Sequence, residues 1–302
     1  MHPGEPVQFQ NQAVGRAWGD SASWTARLDL DFNCADVEPG SPAGFALPQK
    51  TRLGFRHEGP LRIQKALYPE GPSPCHAIVV HPPGGIAGGD RLEIKVSSRA
   101  ASHGLITTPS AAKWYGSDAN NPASQWLDVA LDGALEWLPQ ETIVFNRAQV
   151  QSEIHVRASR EAAMIGWDHL IFGRKASGES FDTGCFRQSL SIEIDGDVVW
   201  HDRLVLHGGD PLFGSPIGLR GHHAFATVWA VLPSSSSWTE TVIEQLRGAA
   251  GGIAWTPLHP RLVVGRVLAE PAKLKSLLHG AWEFLRPSVF GMPAVAPRLW
   301  AT

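Results

Sequence analysis

Cysteine is scarce in this chain: Cys34, Cys75 and Cys185 are the only three among 302 residues, and no two form a C-x-x-C pair. That spacing excludes a thiolate zinc cage and argues against a disulfide framework, leaving three buried, reduced thiols in a cytoplasmic protein. Charge is thin as well. Charged residues make up 18% of the chain, the net charge is −3, and the 26 basic residues nowhere gather into a run. A nucleic-acid surface needs a basic patch, so none is expected. No apolar stretch approaches the ~18–20 residues that a membrane helix needs. Met1 to Val14 lacks the basic-then-apolar order of a secretion signal. Tyrosine is nearly missing, two residues against twelve tryptophans; tryptophans fill cores or mark partner surfaces.

Several chemistries lack their motif. No G-x-S-x-G elbow exists for a serine hydrolase. Cys75 and His76 are adjacent, which on a strand turns thiol and imidazole to opposite faces. Thirteen histidines include no H-x-x-x-H pair. His76 with His81, and His222 with His223, fall on opposite sides of an extended chain. No tightly bound metal is expected, although transient contact through carboxylates and imidazoles stays open.

The densest local signal is His81-Pro82-Pro83-Gly84-Gly85-Ile86-Ala87-Gly88-Gly89-Asp90. Gly84 and Gly89 have the separation of the two glycines in G-x-x-x-x-G-K-S/T. Asp90 stands where the phosphate-reaching lysine belongs and Arg91 where the hydroxyl belongs, so the loop holds no triphosphate. Ile86 likewise breaks the dinucleotide fingerprint G-x-G-x-x-G. Prolines that fix φ and glycines that free it specify a shape instead: a rigid bend between strands that positions Asp90.

Elsewhere alternation dominates. Trp24, Ala26, Leu28, Leu30 and Phe32 share one face of a strand; Leu92/Ile94/Val96, Leu127/Val129/Leu131 and Leu190/Ile192/Ile194 repeat the pattern. The same alternation is read around Val198 to Leu206 and Phe225 to Leu232, so strands are expected there too. Turns fall at Pro39-Gly40, Glu58-Gly59-Pro60, Asp132-Gly133 and Asp195-Gly196-Asp197. Helical periodicity appears late. Leu274, Leu277, Leu278, Ala281, Trp282 and Leu285 form one stripe, opened by Pro271 and closed by Pro287. The expectation is a mainly β chain: a flexible arm over residues 1–20, then one large antiparallel-rich β domain over 21–302 with stacked, helicoid sheets. Two helices follow, at about 239–249 and 270–286.

Carboxylates inside apolar motifs are the candidate functional groups. Glu136 and Glu141 sit within Leu135 to Phe145, and Glu179 lies between a glycine loop and Phe181, with Arg174 available to pair with it. Buried carboxylates are costly unless paired or hydrogen-bonded. Each either anchors a turn by accepting backbone N–H bonds, or lines an internal polar path or a partner contact.

Taken in order, the segments Gly59-Pro60-Leu61 with Gln64, Tyr68-Pro69-Glu70-Gly71, the Cys75-His76 strand, His81 to Asp90, Thr107 to Lys113 with Tyr115, Leu135 to Phe145 and Gly173 to Phe181 resemble the UreD (UreH) family of urease accessory proteins. The match runs from Trp24 to Leu206 and weakens beyond. Asp202 stands where the family more often carries glutamate. The resemblance implies a β-rich, non-enzymatic maturation factor that binds apo-urease together with UreF and, through UreF, the GTPase UreG. It further implies an internal route for Ni2+, with Glu70, Asp90, Glu136, Glu141 and Glu179 as route-lining or motif-stabilising carboxylates. A β-rich enzyme or small-molecule-binding module of unknown substrate is the alternative.

Overall fold

The computed structural model describes residues 23–34 and 50–301, so the expected arm and the turn at Pro39-Gly40 lie outside the described residues. The strands are β1 (Thr25–Cys34), β2 (Thr51–Glu58), β3 (Arg62–Leu67), β4 (Cys75–Val80), β5 (Arg91–Ser98) and β6 (His103–Thr107). Then come β7 (Ala112–Trp114), β8 (Ala123–Leu131), β9 (Ala134–Leu138), β10 (Thr142–Val144), β11 (Gln149–Ala158) and β12 (Ala163–Phe172). The last are β13 (Cys185–Ile194), β14 (Asp197–His207), β15 (Ala224–Val231), β16 (Ala254–His259) and β17 (Leu262–Leu268), with helices α1 (Glu240–Ala249) and α2 (Pro271–Phe290).

Mainly β is what the chain is, yet its pairing differs from the antiparallel expectation. Nine of the named strand pairs are parallel and six antiparallel. The first sheet runs β14-β13-β11-β8-β5-β1-β2, and the second runs β16-β17-β15-β12-β9-β6-β4-β3 with β10 and β7 beside β12. From β4 onward the chain crosses repeatedly between them: β4 and β6 lie in the second, β5 and β8 in the first, β9 in the second, β11 in the first. A parallel pair needs a long crossover. Here that crossover is a strand of the opposite sheet. Short turns such as Asp132-Gly133 are therefore arches between sheets rather than hairpins, and alternation reads the same in either case. Neighbouring arches press together: a Cβ on Gly133 would fall 2.2 Å from the Arg99 carbonyl oxygen, so only glycine fits. Asp195-Gly196 is a true hairpin turn between β13 and β14, with φ of 54° and 92°.

Alternation places Ala26, Leu28, Leu30 and Phe32 of β1, Leu92, Ile94 and Val96 of β5, and Leu127, Val129 and Leu131 of β8 against Leu135, Met164, Leu170 and Trp229 of the second sheet. Trp24, read onto the same face, precedes the strand and is 51% exposed. The outer face of the first sheet carries charges in exposed pairs, Arg27–Glu93 and Arg157–Asp128 among them, so water covers it. Helices cover the other sheet. Ile243 and Leu246 of α1 and Leu274, Leu278, Ala281, Trp282 and Leu285 of α2 pack on Ile165, Trp167, Ala226 and Val228. Strands buried on both faces read as continuous apolar runs, which is why β12 and β15 show no alternation.

Pro287 does not end α2. The helix runs one turn further to Phe290 and closes at Gly291, whose φ is 65° and whose N–H donates to the Pro287 carbonyl at 3.0 Å. A proline deprives the carbonyl four residues back of its donor; that carbonyl belongs to exposed Glu283, where water can serve. The tryptophans are mostly core: Trp114, Trp137, Trp167, Trp229, Trp238, Trp255, Trp282 and Trp300 are all buried.

Candidate functional site

Two polar centres interrupt the apolar layers. The first lies under α2. Arg286 is on the helix's buried stripe, four residues beyond Trp282, and is 0% exposed. Its guanidinium grips Glu70 with two bonds, Nη1 to Oε2 at 2.7 Å and Nη2 to Oε1 at 2.8 Å, and reaches Glu136 Oε1 through Nε at 3.1 Å. Trp282 Nε1 donates to Glu136 Oε2 at 2.6 Å, and Arg286 Nη1 also donates to the Pro293 carbonyl. His76 Nε2 lies 2.8 Å from Glu70 Oε1. His103 Nε2 is 3.0 Å from Glu136 Oε1 without the alignment of a hydrogen bond. Burial pushes the Glu70 carboxyl up, but the bonds from His76 and Arg286 outweigh it and hold the group below the usual carboxylate range. Burial likewise opposes the charge of Arg286, and its two carboxylates more than restore it. The centre is an ionic knot in which the guanidinium and both carboxylates are paired.

The second centre is a cavity of about 250 Å³ at one end of the sandwich. Inward positions that should be apolar are polar there: Gln125 on β8, Ser152 on β11, Gln188 on β13 and Asp168 on β12. The Gln188 amide donates to Asp168 Oδ2, tying the two sheets together across the void. Asp168 is half-buried, and its carboxyl lies on the cavity lining. Burial pushes it up to about 6, against the bonds from Gln188 and the His169 N–H. On the helix side of the same strand, burial lowers His169 to about 4, and its Nε2 finds no partner among the described residues.

The proline–glycine loop forms the lip of this cavity. His81, Pro82, Gly84, Gly85 and Ile86 line it opposite Ser110 to Lys113. Ile86 pairs with β7, its N–H donating to the Lys113 carbonyl at 2.7 Å and its carbonyl accepting from Tyr115 N–H at 2.8 Å. A Cβ on Gly85 would sit 2.2 Å from the Tyr115 ring. Asp90 closes the bend, its carboxylate accepting the N–H groups of Trp24 at 2.9 Å and Ala87 at 2.8 Å. Burial holds the His81 imidazole below its ordinary range, with Asp90 opposing weakly.

Comparison with known proteins decides the kinship. A family model described as UreD urease accessory protein matches residues 40–301. A urease accessory protein UreD of Pseudomonas savastanoi pv. phaseolicola is 44% identical over 285 residues, covering 93% of this chain and 96% of the relative. That of Pseudomonas aeruginosa is 41% identical with the same coverage. The chain belongs to the UreD family of urease accessory proteins. Its place is therefore in urease maturation, and the accessory designation of its UreD relatives points to a non-catalytic role.

Within this UreD-family chain the five singled-out carboxylates separate. Glu70 and Glu136 meet at Arg286, although 216 and 150 residues part them from it. Asp90 caps its own loop. Glu179 pairs with Arg174 at 2.6 Å and accepts the Asn146 N–H at 3.1 Å. Glu141 stands near enough to His169 to oppose electrostatically the effect of burial there. None of the five is among the residues lining the cavity. The carboxylate that does line it, Asp168, was missed, as were Arg286 and Gln188. Each had a signal: an arginine on an apolar helix stripe, an aspartate inside an apolar strand, and glutamines breaking inward alternation. Among the described residues no three His, Cys, Asp or Glu side chains come together to hold a metal ion, and no helix is long and apolar enough to cross a membrane.

Proposed function

We propose that this chain is a urease maturation scaffold that binds apo-urease and UreF, and through UreF the GTPase UreG, and that its intersheet cavity passes Ni2+ toward the urease site. Family membership supports the scaffold role. The observation that carries the passage reading is an intersheet cavity in which a single carboxylate, Asp168, stands with Gln125, Gln140, Gln188 and Ser152 among mostly apolar walls, with His81 and Lys113 also on the lining. A cation in transit needs oxygen donors in place of part of its hydration shell, but too few to trap it. Asp168 with its amide partner meets that condition, and the absence of a thiolate or multi-imidazole cluster among the described residues fits transit rather than storage. The same cavity, lined mostly by apolar groups, favours a small-molecule-binding module as a second reading.

Co-expression with apo-urease and the other accessory proteins tests both. Asp168→Leu, which narrows the cavity and removes its charge, should leave the assembly intact and lower the nickel content of urease at least tenfold. Deleting the chain should abolish nickel incorporation while apo-urease stays folded. Full activation by Asp168→Leu would remove the passage reading; full activation without the chain would remove the scaffold.

A further inference from the structure

The second sheet is interrupted beside β12. Pairing of β9 with β12 runs as far as Trp137 against Gly166, and β10 takes over only at Thr142 against Leu170. Between those points Trp167, Asp168 and His169 have no ladder partner on that side. The break continues one strand further: β6 leaves β9 at Thr107 against Leu138, and β7 joins β10 at Ala112 against Thr142. Its edges are fixed. Gln140 N–H donates to Thr108 Oγ1 at 2.9 Å, Ala112 N–H to the Glu141 carbonyl at 2.9 Å, and Trp167 Nε1 to the Pro139 carbonyl at 2.7 Å.

Two pairs of consecutive residues straddle the sheet at this break, since neighbours along an extended chain point to opposite faces. Asp168 lines the intersheet cavity, and His169 turns to the helix side, where it is 3% exposed. Gln140 lines the cavity as well, and Glu141 bears on His169 more strongly than do Lys275 and His279 of α2. His169 Nε2 is buried and has no hydrogen-bond partner among the described residues. A side chain kept there only for packing would do better apolar, because a buried polar atom without a partner is costly. An imidazole with a free ring nitrogen is instead a ready ligand for a borderline divalent cation, and a nearby carboxylate supplies the opposite charge.

From this arrangement we infer that the break is a crossing point. Ni2+ leaves the cavity at Asp168 and Gln140, passes through the second sheet beside β12, and is received by His169 Nε2 and Glu141 under α2. The inference rests on the passage reading and deepens it by naming the second station. Two side chains on each face are too few to trap the ion, in keeping with the lack of a three-ligand cluster among the described residues. Lys275, which also acts on His169, repels a resident cation and favours its release.

Ni2+ alone, titrated into the full chain carrying isotope-labelled histidine, tests the crossing by NMR, because the paramagnetic ion broadens the ring signals it approaches. The ring signal missing from the His169→Phe spectrum belongs to His169. It should broaden at substoichiometric Ni2+ in the wild type and stay sharp in Asp168→Leu, which narrows the approach from the cavity. A signal that stays sharp in the wild type at excess Ni2+ overturns the crossing. Equal broadening in Asp168→Leu also overturns it, by bringing the ion from the helix side. In co-expression with apo-urease and the other accessory proteins, His169→Phe should lower urease nickel about tenfold and Glu141→Gln by less. Assembly should persist in both, with thermal unfolding no lower than wild type. Full nickel content with His169→Phe, while Asp168→Leu still lowers it, removes the crossing and leaves the passage standing. Full content with both variants removes crossing and passage together.

Discussion

The two polar centres differ in how their carboxylates are answered. Under α2, Glu70 and Glu136 face an arginine that bonds both, a tryptophan N–H and two histidines. Between the sheets, Asp168 faces one amide, one backbone N–H and a void. Burial opposes charge in both places, yet Glu70 ends below the usual range and Asp168 well above it. A buried acid with a full set of partners is architecture. A half-buried acid that bonds one amide and one backbone N–H beside a cavity has coordination left to give.

The largest expected effect tests the first half of that contrast. Arg286→Met leaves two buried carboxylates without their cation and should cost about 3–5 kcal/mol, enough to unfold a marginal protein. Denaturant unfolding measures the loss. Adding Glu70→Gln and Glu136→Gln to Arg286→Met should recover much of it, because the uncompensated charge rather than the missing bonds dominates. A triple variant no better than the single would show that shape, not charge, holds α2 down. Since Glu70 is depressed in the folded state, its contribution is present above the ordinary glutamate range and disappears as pH falls through the depressed value.

Asp168→Asn probes the other half. The aspartate's pKa rises from 3.8 to about 6 on folding, so between those values the native state holds more protons than the unfolded one. Stability therefore falls as pH rises through that window, and above it the ionised carboxyl costs its full penalty. An asparagine accepts the Gln188 bond without the charge. The variant should be about 2 kcal/mol more stable than wild type at pH 8 and no different at pH 4, by denaturant unfolding at several pH values. Equal stability at pH 8 would mean that water reaches the carboxyl freely.

The third effect is smaller. Asp90→Ala strips two backbone N–H groups of their acceptor and should cost about 1–2 kcal/mol. Thermal unfolding reads it, and Asp90→Asn, which keeps an acceptor for one of the two, should lose about half as much.

How much of this was legible follows from the range over which each signal acts. The alternation of Leu92, Ile94 and Val96 is local and gave strands. Their partners were not legible, because an arch between sheets and a hairpin are written with the same Asp-Gly. The pairing of Glu179 with Arg174 was legible at a separation of five residues. The knot was not: Glu70 and Arg286 are 216 residues apart, and only an arginine on an apolar helix face hinted at it. The cavity was written in negative form, as Gln125, Ser152 and Gln188 occupying inward positions where the neighbouring strand residues are apolar.

The smallest effect sharpens the comparison most. Glu179 belongs with the answered carboxylates, but at the surface: Arg174, also stacked on Phe145, is itself well exposed. Solvent screens the pair, so Glu179→Gln, which keeps an acceptor for the Asn146 N–H, should change stability by less than about 1 kcal/mol. Nickel incorporation into urease should also be unchanged, since the side chain neither lines the cavity nor lacks partners. If Glu179→Gln blocks incorporation while assembly and stability persist, the division between answered and unanswered acids fails as a guide to function. The path of the ion would then run along the surface pairs beside Phe145 rather than between the sheets.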